Sequence, residues 1–417
     1  MGLDQGMTMA KTLTLPTSAS ALNQRSAHRV SDLTVRTVTV KELADYVPAW
    51  QLLASRALVP NPFYEPWMLL PAIQHLKGSA QLEVLLVFGP AKLRGGERDL
   101  LGLFPLEVHS KFLHLPIRTL SLWQHLYCFL NVPLVDQENA WPVIEAFWRW
   151  WETGPFRCHV FDTNLFLAEG RFHEIWTDFA IGRSALVLHE YARAAIYPVG
   201  NAESYIAAAV SKKHRQEYSR QERKLREIGI CQFREVTNPA EVDDWIEAFL
   251  RVEAAGWKGA PGGGAFASSP EDSRFFRAIT QKGFEENRVM LLRFDLDNAP
   301  LALKYNLLSG TGSFAFKIAF DENFSKYSPG VLLELENIQR AFDHGGLEWM
   351  DSCATARHPV VDRLWSERRM VRRTLFSDSS RTGDLIVSFL PLLRWVNDRI
   401  RRQSVPMYRR ISTKSEQ

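Results

Sequence analysis

The stretch "FKIAFDENFSKYSPGVLLELENI", residues 316 to 338, passes from a strand-like run through a polar turn into a helix that begins at Ser328, Pro329 and Gly330. The first turn of a helix has backbone N–H groups without internal partners and carries the positive end of the helix dipole, so it attracts anions. Pro329 suits the first helical position, where its missing N–H is not needed, and Gly330 leaves the backbone open to a phosphate. Ser-Pro at a helix start is also ordinary capping, and the tripeptide alone leaves both readings open.

Upstream, "RVMLLRFDLDNAPLALKYNLLSGTGSFAFKIAF" (288 to 320) reads as three strands joined by turns at Asp297-Asn298 and Gly310-Thr311-Gly312, a meander. Downstream, the helix has its apolar stripe at Val331, Leu335, Ile338 and Phe342, and "GGLEWMDSCA" gives a further strand. The first half of the chain has a similar order. There "LEVLLVFG" (82 to 89) and "LLGLFPLEV" read as antiparallel strands around the turn "RGGERD". "NAWPVIEAFWRWWE" has helical spacing at Val143, Ile144, Phe147, Trp148 and Trp151, and "CHVFDTNLF" resumes as a strand. Both halves are therefore expected to be mixed sheets with helices packed on them.

Between the halves, residues 201 to 229 read as one long helix, with Asn201 as N-cap and Gly229 as C-cap. Within 211 to 227, seven Lys or Arg residues face three Glu. The pattern fits a solvated face laced with side-chain pairs, or a surface that attracts an anionic substrate. Residues 255 to 270, "AGWKGAPGGGAFASSP", make a loop that is either a lid hinge or a surface insertion.

The 417 residues, 46% apolar and 23% charged, suffice for about two domains. A net charge of +3 gives no support for a general phosphate-neutralising surface, so DNA is not an expected partner and any basic function is local. The cysteines Cys128, Cys158, Cys231 and Cys353 form no CxxC pair, which argues against a disulfide framework or zinc site and for a reducing cytoplasm. The apolar run "LIVSFLPLLRWV" (385 to 396) is short and interrupted by Pro391 and Arg394, so no membrane span is expected. The first 30 residues lack the apolar centre of a signal peptide and read as a disordered start.

No Walker loop, no G-x-G-x-x-G after a strand and no G-x-S-x-G elbow is present. His109 and His114 read as ordinary polar positions, and no metal is predicted. Cys353, near Asp351 and His358, reads as a thiol nucleophile or as a buried strand cysteine.

"GWKG" at 256 to 259, the opening stretch and "MDSCATARHPVVDRLWSERR" at 350 to 369 occur in order. With the basic helix they resemble the GNAT-type acyltransferases of the branch associated with bacterial cellulose and exopolysaccharide biosynthesis. The resemblance covers residues 190 to 375, and the N-terminal half is similar to the degenerate first copy of tandem-GNAT proteins, among them the Fem-type peptidyltransferases.

This resemblance implies an α/β (α+β) fold of two GNAT-like domains, each a mixed, mostly antiparallel sheet flanked by helices. They would cover 31–190, degenerate, and 191–417, catalytic and ending in an amphipathic helix. It implies transfer of an acyl group, expected to be acetyl, from coenzyme A to an amine or hydroxyl of a small or saccharide-linked acceptor. The pyrophosphate would lie on Tyr327, Ser328, Pro329, Gly330 and Val331, with backbone donors at Ile318, Ala319 and Phe320 for the pantetheine and the thioester oxygen. Asp351 is the first choice for the base and His358 the second, with Tyr327 as acid at the leaving thiolate. Trp257, Lys258, Lys304 and Lys317 would meet the substrate. One glycine stands where the family's phosphate loop has two small residues, so two alternatives stand beside the first reading. One is a Fem-like transferase that takes aminoacyl-tRNA; the other is an inactive GNAT-like scaffold in polysaccharide assembly. The C-terminal helix, with Leu385, Phe389, Leu392, Leu393 and Val396, is expected to pack on the second domain, the other reading being a membrane surface.

Overall fold

A computed structural model describes residues 29–404 except 79–80, 91–97, 114, 155 and 261, and the side chains of 393–404 are not described. The expected disordered start, most of the "RGGERD" turn and His114 lie outside the described residues.

The first half runs β1 (Thr34–Thr39), α1 (Val47–Ser55), α2 (Pro66–Leu76), β2 (Leu82–Phe88), β3 (Leu100–His109), β4 (Thr119–Leu122), β5 (Leu134–Val135), α3 (Ala140–Glu152), β6 (Val160–Leu167), α4 (Gly170–Ala180) and β7 (Ala185–Ile196). Then follow α5 (Ala202–Ala209) and α6 (Lys212–Arg226). The second half runs β8 (Cys231–Glu235), α7 (Val242–Ala255), α8 (Pro270–Glu285), β9 (Val289–Leu296), β10 (Ala299–Ser309), β11 (Gly312–Phe320), α9 (Pro329–Asp343), β12 (Trp349–Asp351), α10 (Val361–Leu364), β13 (Glu367–Ser377) and α11 (Arg381–Ser404).

The expected meander forms as β9, β10 and β11, all antiparallel. Asp297 and Asn298 at its first turn both have positive φ, the shape that two-residue hairpins favour. The five apolar residues expected to face inward from α3 are all buried.

Among the described residues there is one mixed, mostly antiparallel sheet in the order β1-β2-β3-β4-β6-β13-β7-β12-β11-β10-β9-β8, with β5 attached to β3. The order is nearly palindromic about the β13–β7 pair. The last strand of each half is inserted beside the other half: β13 pairs with β6, and β7 pairs with β12. A boundary between residues 190 and 191 therefore falls inside β7, and the two expected sheets are one.

One apolar core also runs through both halves. Phe63 packs edge-on against Phe314, and its ring lies 6.3 Å from that of Phe316. Helix α2 approaches α8 at Gly283, where an added Cβ would lie 2.9 Å from the Trp67 ring and 2.6 Å from Val289.

Two expected elements differ. The single helix over 201 to 229 is broken at Val210 and Ser211: Val210 is extended, Ser211 is non-helical with ψ 146°, and Ser211 starts α6 by accepting the His214 N–H. Helix α9 also turns a different face inward, with Leu332, Leu333, Glu334, Asn337 and Ala341 buried beside Ile338, while Val331, Leu335 and Phe342 are half-buried. Glu334 and Asn337 are interior because partners on β10 receive them: Lys304 Nζ donates to Glu334 at 2.7 Å and Asn306 Nδ2 to Asn337 at 2.6 Å.

Candidate active site

Each half contains a short parallel pair. In the first, Thr119 to Ser121 of β4 run beside Val160 to Asp162 of β6; in the second, Gly312 to Phe314 of β11 run beside Trp349 to Asp351 of β12. Beyond three residues each pair separates, leaving a wedge. The first wedge is filled by the protein's own chain: after β4 the backbone returns so that the Asn131 N–H donates to Leu165 of β6, and Trp123, His125 and Tyr127 are buried in between. Burial pushes the His125 imidazole down to about 3. In the second wedge β12 ends at Asp351 while β11 continues to Phe320 with no strand on that edge among the described residues.

Strand β11 is bulged there: three steps from Phe314 to Lys317 oppose two steps from Leu307 to Tyr305 on β10. Past the bulge, the Ile318 carbonyl accepts from Lys258 Nζ at 2.9 Å instead of joining β10. A strand residue presents its N–H and C=O to the same side, so the Ile318 N–H also faces the open edge. A narrow slot lined by Glu253, Trp257, Lys258, Ile318, Phe320 and Glu322 opens at this point.

Three lysines meet at this segment. Lys258 lies 3.5 Å from buried Glu253, and burial pushes its ammonium down while Glu253 opposes. Lys304 is opposite Ile318 in the register. It is buried and neutralised by Glu334 beneath α9, so it is not placed to meet a substrate as expected. Lys317 has no carboxylate within ion-pair distance among the described residues; its ammonium lies 5.0 Å from the centroids of both the Tyr127 and the Phe266 ring. Burial, with Lys258 adding to it, pushes Lys317 down to about 8. Trp257 is exposed, and its backbone N–H donates to Glu322 at 2.7 Å.

The residues expected to move protons are otherwise engaged. Asp351 is fully buried; its Oδ1 accepts the Cys353 N–H at 2.8 Å and Arg193 at 3.3 Å, and Arg369 stands 3.7 Å from Oδ2. It joins the central strands β7, β12 and β13 and offers no oxygen to solvent. His358 accepts the Val361 N–H at Nδ1, 3.2 Å, which places its neutral-form proton on Nε2 and leaves it a donor, not a base. Burial pushes His358 down; Asp362 and Glu334 oppose, and Lys304 and Lys258 add to the effect. The Tyr327 ring faces Lys326 and Phe324, and among the described residues no bond or ring contact joins it to the lysines. The Cys353 thiol is buried and pushed well above its usual range by burial and by Asp351, so the buried-cysteine reading fits and the nucleophile does not.

At the start of α9, Ser328 takes a left-handed backbone, φ 53°, and bonds its N–H to Ser325 O at 3.0 Å. The Val331 and Leu332 N–H groups both donate to Ser328 O, and Pro329 has none. Only the Gly330 N–H of this turn finds no acceptor among the described residues. A Cβ at Gly330 would lie 3.1 Å from the Phe320 ring, so its smallness also lets β11 and α9 close together. Helix α6 packs on the Glu322–Tyr327 turn that leads into this site. It presents a hollow lined by Lys212, Arg215, Gln216, Ser219, Arg220 and Arg223, one stripe of the helix.

Tyr127, Glu253, Phe266 and Asp272 were not singled out in the sequence. The 255–270 loop, read as a hinge or insertion, is pinned by buried Phe266, whose N–H donates to Glu253 at 2.9 Å. Phe266 then packs on Tyr127, 4.4 Å between centroids, bringing a first-half side chain to Lys317. Asp272 adds to the burial that pushes the Tyr127 phenol up. Among the described residues no group of three His, Cys, Asp or Glu is placed to hold a metal ion.

The second wedge thus combines a bulged strand, a parallel neighbour that leaves it, and a helix beginning behind the gap. Residues 212–358 match the family described as the acetyltransferase (GNAT) domain. The second half thus contains an acetyltransferase-type domain. The solved structure of FemX is similar at 10% identity over 82% of this chain and 96% of that one, TM-score 0.50. A tandem GNAT protein from the clavulanic acid biosynthesis pathway aligns at 12% identity over 82% and 98%, TM-score 0.41. The C-terminal domain of a putative lysylphosphatidylglycerol synthetase from Agrobacterium fabrum aligns at 11% identity over 83% and 95%, TM-score 0.44. No curated protein sequence matches the chain. At such low identity the FemX likeness speaks to the fold alone.

Proposed function

We propose that the protein is an acyltransferase that moves an acyl group from coenzyme A to an amine or hydroxyl acceptor in the second wedge. The observation that carries this reading is the open edge of β11 past its bulge, with Lys317 held near neutrality beside it. A thioester laid along that edge would meet the Ile318 N–H, a backbone donor for the oxygen on which charge develops. Lys317, when neutral, accepts the proton that the acceptor loses as its nitrogen or oxygen bonds to the acyl carbon. The carbon–sulfur bond breaks, and the departing thiolate takes its proton from solvent. Asp351 positions the strands in this scheme and does not act as base.

The wedge suits the pantetheine arm better than the phosphates, because the first turn of α9 leaves a single free N–H. Lys326 and the α6 stripe supply the remaining positive charge. Acetyl is the acyl group that the sequence resemblance favours, and an amine or hydroxyl of a small or saccharide-linked molecule the acceptor, in the cytoplasm. Calorimetry should detect acetyl-CoA binding to the wild type and binding weakened by about tenfold in Gly330→Glu, where a carboxylate opposes the phosphates. Equal binding by both, or binding by neither, removes coenzyme A from this wedge.

A second donor, aminoacyl-tRNA, is favoured by one observation, the cationic stripe on α6. Retention of charged tRNA on a filter at low salt, falling steeply as salt rises, supports it; no retention rejects it.

A further inference from the structure

Helix α11 follows the inserted strand β13 and packs on the sheet through Ile386, Val387 and Leu390, which meet Val160, Leu186 and Leu375. Of the residues expected to do that packing, Leu385, Phe389 and Leu392 face the other way, and the side chains of Leu393 and Val396 lie outside the described ones. Leu385, Phe389 and Leu392 are 58%, 54% and 54% exposed and follow one another at helical spacing. Arg381, Thr382 and Ser388 share their face. Asp384, half-buried, is turned toward the sheet: it accepts from Ser377 Oγ at 2.6 Å and from the Ser184 N–H at 3.3 Å. The outward face therefore carries large apolar side chains and no carboxylate over residues 381–392.

From residue 393 to the end, the sequence holds seven Lys or Arg against Asp398 and Glu416. This local excess of five positive charges is larger than the net +3 of the whole chain. We propose that α11 and the basic segment after it dock the protein peripherally on an anionic phospholipid surface. The inner face fixes the helix, the outer apolar row enters the boundary between headgroups and acyl chains, and the net positive charge of the segment's sequence favours an anionic surface. No described helix is long and apolar enough to cross a membrane, so the docking is along the surface.

A second copy of the chain is a poorer occupant. Three side chains a little over half exposed offer on the order of 300 Å². A stable dimer needs about 800 Å² from each partner. The opposite charge of an anionic bilayer, by contrast, matches the segment directly.

The test is sedimentation of the purified full chain with vesicles of phosphatidylcholine alone or mixed equally with phosphatidylglycerol. The bound fraction should rise about tenfold on the anionic vesicles and fall as salt is added. Leu385→Ser with Phe389→Ser should lower it at least about fivefold, with unchanged circular dichroism, melting temperature and mass by light scattering. Three outcomes overturn the proposal: no binding to anionic vesicles, equal binding by wild type and double variant, or a wild-type dimer that the double variant splits. None of these readouts depends on acyl transfer, so the docking stands or falls apart from the proposed activity.

Discussion

Lys317 is where the chemistry of single residues is most exposed to experiment. Replacing it by Met keeps the bulk between Tyr127 and Phe266 but removes the titratable amine. Transfer should fall by about 10²- to 10³-fold while acetyl-CoA binding is retained. In the wild type the rate should rise with pH through about 8, as Lys317 loses its proton, and that step should vanish in Lys317→Met. An unchanged pH profile in the variant rejects Lys317 as the proton acceptor. The same shift affects stability. The folded-state value, about 8, lies below the ordinary 10.5, so the folded protein binds fewer protons between those limits. The resulting destabilisation is full below about pH 8 and is lost as pH rises toward 10.5. Denaturant titrations should therefore show wild type gaining on Lys317→Met across that window. None of this is visible in "FKIAF", because the second aromatic face comes from Tyr127, far away in the chain.

Among the elements, α9 and the α5–α6 pair show how far periodicity reaches. The helix at 329–343 was legible from its start signal and apolar spacing, but its buried face was not. Glu334 and Asn337 look like solvent positions until β10 supplies Lys304 and Asn306 as partners. Lys304→Met should strand Glu334 and cost about 3 to 5 kcal/mol by urea denaturation, and Lys304→Met with Glu334→Leu should recover much of it. The break at Val210 and Ser211 was missed because both flanking segments are good helix formers. The Asn201 cap was read correctly: its side chain accepts the Ser204 N–H at 2.8 Å. Asn201→Ala should cost about 1 kcal/mol in the same assay.

For the whole molecule, the exchange of β7 and β13 joins the two halves in one sheet, so they should unfold as one cooperative unit. Neither half retains a complete sheet when cut between them. Calorimetry should show one unfolding transition, whereas two well-separated transitions would contradict the shared core. The Arg193–Asp351–Arg369 cluster sits at the crossing of the exchanged strands. Arg193→Met should destabilise the chain by about 3 to 5 kcal/mol, because Asp351 stays buried with less compensation. That loss should appear in both halves at once.

By itself the sequence determined the local pattern: the strands of each half, the meander, the capped helix at Pro329 and the motifs that point to an acyltransferase. These depend on periodicity and on turn residues a few positions apart. Only the tertiary structure decided that the first wedge is closed by its own chain and the second open. It also decided that Asp351 is a buried strut while Lys317 stands beside the open edge. Those outcomes depend on which distant segments meet, and so on charges, aromatic faces and hydrogen bonds brought together across long separations in sequence. The opening stretch keeps its helix start and its glycine, but in the fold Gly330 serves the packing of Phe320 as well as any phosphate.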